Sequence, residues 1–172
     1  MIKLETRKGE LISLAEKLFH DITTLPKDVR SDTKIRTGIQ VLIREINTKN
    51  LIFFSAGKPT DQAMFFSAEK AVRSAMLGHF ASENSQKPFE MQFAGSITIE
   101  YEGALLQVSC SGLLADEDVA SGIIILSRIT GLSVYSVMEL VQRGGGVLPN
   151  VITSTKESYH YLYKMVRDLQ YS

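Results

Sequence analysis

The chain of 172 residues has no tryptophan, a single cysteine, four prolines and no surplus of either charge. Each shortage removes a class of protein. With Cys110 alone there is no internal disulfide and no cysteine-rich metal site, and a reducing, cytoplasmic setting is expected. Lysine plus arginine equals aspartate plus glutamate at 19 each, so no net field gathers nucleic acid or an anionic membrane at the surface, and neither is expected as a partner. No stretch approaches the roughly 20 apolar residues that cross a bilayer, and no basic segment followed by an apolar run opens the chain. The three histidines, His20, His79 and His160, have no HxxxH or HxxE neighbourhood, which argues against structural zinc. Ser109 and Ser111 lack the context of a nucleophile elbow. No general catalytic motif is written in the chain.

Hydrophobic residues make up 44% and charged residues 22%, the balance of an ordinary globular protein with a real core, and the length suits one domain, residues 1–172. Over residues 9–23, Leu11, Leu14, Ala15, Leu18 and Ile22 recur at spacings of three and four, the period of a helix with one apolar stripe. A polar connection follows, then "GIQVLIREI" and "LIFFSAG" around the turn "NTKN", a hairpin that sets Ile39, Val41 and Ile43 on one side. Leu42, Ile46, Leu51 and Phe53 make the other side nearly as apolar, so both faces are expected to be covered. Thr60 or Asp61 caps a helix over residues 61–80. Its apolar period places Phe65, Ala68, Val72, Ala75 or Met76, and His79 inward, with Lys70 and Arg73 on another face.

The segment 96–111 carries the clearest local signal. A two-residue loop at Glu102-Gly103 puts Tyr101 opposite Ala104, Ile99 opposite Leu106 and Ile97 opposite Val108, all apolar, with Thr98, Glu100, Gln107 and Ser109 on the reverse face. A one-residue slip exchanges the two sets, which fixes the register. Cys110 falls on the apolar side as a packing residue. "FEMQF" is a candidate fifth strand. Residues 120–130 read as a helix led by Asp116, Glu117 and Asp118, acids that ordinarily serve the helix dipole and solvent. The triple glycine after Arg143 reads as a helix stop rather than a phosphate loop. In the tail, Leu162, Met165, Val166 and Leu169 form a stripe, and Ser154 with Glu157 has capping-box spacing. The order of elements gives an α/β (α+β) fold: an antiparallel sheet of about five strands flanked by helices, with a helical C-terminal extension.

Two stretches, "IQVLIREINTKNLIFFSAGKPTDQAMFFSAEKAVRSAMLGHFAS" and "FAGSITIEYEGALLQVSCSGLLADEDVASGIIIL", together resemble the GlcG/HbpS-like haem-degrading domain family, in particular its little-characterised small-protein branch. The likeness runs over residues 37–130 and covers the strand pairs, the helix with its Lys/Arg step, and the "SGL" turn with acids opening a helix. Residues 1–36 then form an N-terminal helix and connection, and 131–172 an extension. The resemblance implies a profilin-like fold, symmetric homo-oligomers and, for some members, binding of haem or another small ligand. A ligand site is expected between Lys70, Arg73 and His79 on the helix and Ser111, Gly112 and Glu117 at the turn. The expected function is that of an oligomeric cytoplasmic binding protein. The alternative is an interaction or scaffold module that recruits a partner through its C-terminal helix.

Overall fold

The structure is a computed structural model that describes residues 2–171. In chain order it contains α1 (Leu4–Thr23), β1 (Gly38–Glu45), β2 (Leu51–Gly57), α2 (Asp61–Met76), β3 (Ser96–Tyr101), β4 (Ala104–Ser111), α3 (Ala115–Thr130), α4 (Val134–Arg143), α5 (Asn150–Thr153) and α6 (Tyr161–Val166), with short 3-10 turns between them. The four strands form one antiparallel sheet in the order β2-β1-β4-β3. The β3–β4 register is the one the alternation specifies, with Ile97 opposite Val108 and Ile99 opposite Leu106.

The fifth strand does not form. Pro88–Glu90 is a 3-10 turn, Met91 is left-handed, and the segment's one ladder contact is the isolated Lys87–Gln92 bridge within itself. A proline at the start of a short run removes a donor that a ladder needs. The free edge of β3 meets the residues after α2 instead, where Ala81 bridges Ile97 and the Thr98 amide donates to the Phe80 carbonyl at 2.7 Å.

The sheet separates two unlike layers. One face carries Ile39, Val41, Ile43, Ile52, Phe54, Ile97, Ile99, Leu106, Val108 and Cys110, all buried. α1 and α3 pack on this side, and Gly122 of α3 brings its backbone close to Ile97 and Val108. α3 is buried nearly all round, as a helix apolar on every side must be. α6 lays Leu162, Met165 and Val166 inward and packs on α3, so the extension is docked on its own domain. No single helix among the described residues is long and apolar enough to cross a membrane.

The other face is polar, and α2 lies on it with the opposite phase to the one its hydrophobic period predicts. Ala63, Ser67, Lys70, Ala71 and Ser74 face the sheet, while Phe65, Val72 and Met76 are exposed. Hydrogen bonds decide this orientation. Ser109 donates to the Ser67 carbonyl at 2.6 Å, and Gln107 donates to the Ala71 carbonyl at 3.1 Å and to Ser74 at 3.0 Å. An outward polar row on the strands would otherwise be desolvated without partners, at about 1–3 kcal/mol per group. α2 covers β1, β4 and β3 but stops short of β2, so the reverse face of the first hairpin is open at Leu51 and Phe53.

The triple glycine ends α4 and also shapes the packing. The Gly144 backbone lies so close to the Phe80 ring that a Cβ there would overlap it, and Gly145 takes a left-handed φ of +83°. Gly144→Ala should therefore lower stability by about 1–3 kcal/mol through overpacking, as read by urea denaturation. A loss below about 0.5 kcal/mol would show that Phe80 is not held against this turn.

Candidate functional site

The "SGL" turn and the first turn of α3 form a buried ionic clasp. β4 ends at Ser111. Gly112 then runs at φ +137° against the Gly38 carbonyl and Ile39, where no side chain fits, and Leu113-Leu114 lead into α3. Helix geometry sets the consecutive acids Glu117 and Asp118 about 100° apart around the axis, so they reach different partners. Because α3 is buried from its first turn, both carboxylates are enclosed, Glu117 wholly so.

Asp118 accepts from Lys70 Nζ at 3.0 Å and from the Leu113 amide at 3.2 Å, and Lys70 Nζ also donates to the Cys110 carbonyl at 2.9 Å. Lys70 is 1% exposed. Its long stem threads from α2 past the end of the sheet to α3 through space that Gly95 leaves: a Cβ at Gly95 would stand 2.6 Å from Nζ. Glu117 is saturated. It accepts from Arg30 Nε and from Tyr161 at 2.7 Å on Oε1, and from Arg30 Nη2 and the Leu114 amide, each at 2.9 Å, on Oε2. Arg30 turns its fork further to Asp32 at 3.0 Å. Arg36 completes the group, donating to Asp32 at 2.6 Å and to the carbonyls of Gly112 and Leu113. Arg30, Arg36 and Lys70 thus balance Asp32, Glu117 and Asp118.

The electrostatics follow from burial and pairing. Burial raises the Asp118 carboxyl above its ordinary value despite the opposing effect of Lys70. The Asp32 carboxyl is lowered: burial raises it, and hydrogen bonds and charge from Arg36, with Arg30, more than offset that. Bonding to Glu117 raises Arg30. Burial pushes the Cys110 thiol well up, so it is no thiolate nucleophile. Every charge in the clasp has a partner, and what the arrangement does is fix the turn and join three layers.

The expected ligand set is therefore split. Lys70 and Glu117 are spent on the clasp, with Ser111 and Gly112 beside it. Arg73 is a staple for residues 82–93, bonded to Glu69, to the Ser82 and Phe93 carbonyls and to Ser85. His79 lies past the other end of α2 and lines a separate cavity of about 380 Å³ with Arg44, Thr98 and Leu105. The span of β4 from Leu105 to Cys110 puts this cavity roughly 16 Å from the clasp. A haem held by His79 and the Lys/Arg step does not fit, since the basic groups are committed elsewhere. A second cavity of about 520 Å³ lies between the end of α1 and the C-terminal segment, lined by Leu25, Val29, Tyr159 and Met165 among others.

A smaller group, Glu83, Asp116 and His160, stands near the clasp. One Glu83 oxygen is buried without a hydrogen-bond partner. Burial, and then the Asp116 charge, push its carboxyl up to about 7. Burial raises Asp116 too, against the opposing charge of His160. Arg30, Asp32, Arg36 and Arg44 were not singled out from the sequence, and none lies in a motif. The usable signal was indirect: two acids opening a helix with no polar face demand two buried cations. Comparison with protein-family models, with curated proteins and with solved structures gives no match.

Lys70→Met should cost about 3–5 kcal/mol, because it strands a buried carboxylate. Adding Asp118→Asn should recover much of that loss, so urea denaturation of the four-member cycle gives strongly non-additive values; additive losses would mean that the pair is not coupled. The pH response follows from Glu83. A carboxyl raised in the folded state stabilises the fold fully below its ordinary value near 4.5 and loses that contribution as pH rises through about 7. Stability should therefore fall over this window and fall less in Glu83→Gln, as followed by thermal melts at a series of pH values.

Proposed function

We propose that the chain is a self-associating binding module of the profilin-like, GlcG/HbpS-like kind, paired with a second copy through the outer face of α2 and the uncovered part of β2. One observation carries this reading: the hydrophobic stripe of α2 points away from its own sheet. Phe65 is 64% exposed, Met76 82% and Phe53, beyond the rim of α2, 63%, with Leu51, Met64 and Val72 also open. Isolated apolar residues on a surface are ordinary, whereas a helical stripe and a neighbouring strand open together are the mark of a contact.

A second copy suits this face better than a charged partner. A standard-size interface buries roughly 800 Å² per subunit, and these six open apolar side chains would supply its apolar centre. The chain carries equal numbers of acidic and basic residues, so no net repulsion opposes two copies meeting. A two-fold axis sets helix against helix and strand against strand, apolar on both sides. The alternative, recruitment through the C-terminal helix, draws less support because Leu162, Met165 and Val166 are used inside the domain. No step of this reading runs through haem.

Sedimentation equilibrium tests it. The wild-type chain should be a dimer or a larger symmetric oligomer at about 10 µM. The Phe53→Glu/Phe65→Glu variant should be a monomer with an unchanged circular dichroism spectrum, since neither side chain supports the core. A wild-type monomer up to about 200 µM would remove the proposal.

A further inference from the structure

The cavity past the C-terminal end of α2 is lined by Arg44 and His79. Arg44 is half-buried on β1, set between Leu51 and Gln107 on the polar face of the sheet. Its Nε donates to Gln107 at 2.7 Å and its Nη2 to the Ala71 carbonyl at 3.1 Å. Those two bonds leave most of its five donors without a protein acceptor. The ion pairs of the described residues use Arg7, Lys17, Arg30, Arg36, Lys70, Arg73, Lys87, Arg128 and Arg143, and none uses Arg44. His79, across the same cavity, has its Nδ1 buried without a partner. No acidic residue lines the cavity, whose remaining wall is largely apolar: Val72, Met76, Phe80 and Leu105.

A partly desolvated guanidinium with no counter-ion is an arrangement a folded chain rarely keeps, since enclosed charges are normally paired. Burial works against the Arg44 charge and lowers its proton affinity. The buried cations Lys70 and Arg30 meet carboxylates, and no carboxylate lines this cavity. A carboxylate matches the planar fork of an arginine, which can take both of its oxygens. A volume of about 380 Å³ holds roughly a dozen water-sized groups, room for a carboxylate and a short apolar tail.

We infer that this cavity binds a small monocarboxylic acid, its carboxylate on Arg44 and its apolar tail along Val72, Met76, Phe80 and Leu105. The site is separate from the clasp, but Val72 and Met76 belong both to its wall and to the outer face of α2, so the titration is run on the Phe53→Glu/Phe65→Glu variant as well as on the wild-type chain.

Amide chemical shifts of the full-length chain, followed during titration with hexanoate, test the assignment, with 1-hexanol and inorganic phosphate as controls. Hexanoate should give saturable shifts centred on residues 44–47, 72–80, 98 and 105, with a dissociation constant below about 1 mM. Hexanol lacks the charge and phosphate lacks the tail, so each should bind at least about tenfold more weakly. Arg44→Met should weaken hexanoate binding by about tenfold or more. Asn47→Asp keeps a residue type that tolerates the left-handed φ of +67° at this exposed position. It sets a carboxylate on the cavity rim, so it should weaken binding without disturbing the fold. No saturable shift up to about 20 mM hexanoate would overturn the inference. Affinity unchanged in Asn47→Asp, or hexanol or phosphate binding as well as hexanoate, would overturn it equally.

Discussion

The structure depends on a requirement imposed by α3. A helix with Val119, Ala120, Gly122 and four successive apolar residues from Ile123 to Leu126 has no side to give to water, so its first turn is enclosed along with the rest. Glu117 and Asp118 stand in that turn. Two adjacent carboxylates without partners would be untenable there, because the effective cost of burying an ion is several kcal/mol. The cations come from opposite directions: Lys70 from α2 on the far side of the sheet, and Arg30 from the connection between α1 and β1. Charge neutralisation at one point thus ties together segments about 50 and 90 residues apart in sequence. The glycines at 95 and 112 follow from the same closeness, for backbone must pass where a side chain would collide with Lys70 or with Gly38.

The same polar bias explains why α2 is turned as it is. Its sheet-facing residues are small or polar because the strand face beneath it carries Gln107, Ser109, Thr98 and Ser96. A long lysine and a row of hydroxyls reach those partners only if the helix rolls its large apolar residues outward. The hydrophobic layer of this domain lies entirely on the other side of the sheet, between the strands and α1 with α3. That division leaves a second apolar surface outside the core, the face on which the proposed pairing rests.

How much of this was legible beforehand depends on the range of the interactions. The β3–β4 register could be read because alternation and a two-residue loop are local facts, and the stripe of α1 and the start of α3 are legible for the same reason. The phase of α2 was not, because its amphipathic period is real but the partner of each face is decided elsewhere. Read alone, Phe65, Val72 and Met76 look like core; only the polar row on β4 shows that they are not. The fifth strand failed on Pro88 and the left-handed Met91. The acids opening α3 were read as dipole and solvent groups, although the apolar run after them already implied enclosure.

Lys70 and Arg44 lie under the same helix, on the same polar face of the sheet, and differ in one respect. Lys70 reaches a carboxylate at the end where α3 begins, so its charge is spent on holding the fold. Arg44, at the hairpin end, meets only the neutral acceptors of Gln107 and Ala71. The fold needs the first cation to close the turn before α3, and nothing comparable closes at the second. A half-buried guanidinium on the wall of a cavity that no acidic residue lines leaves a place for the inferred carboxylate, whereas the clasp is already neutral and leaves none.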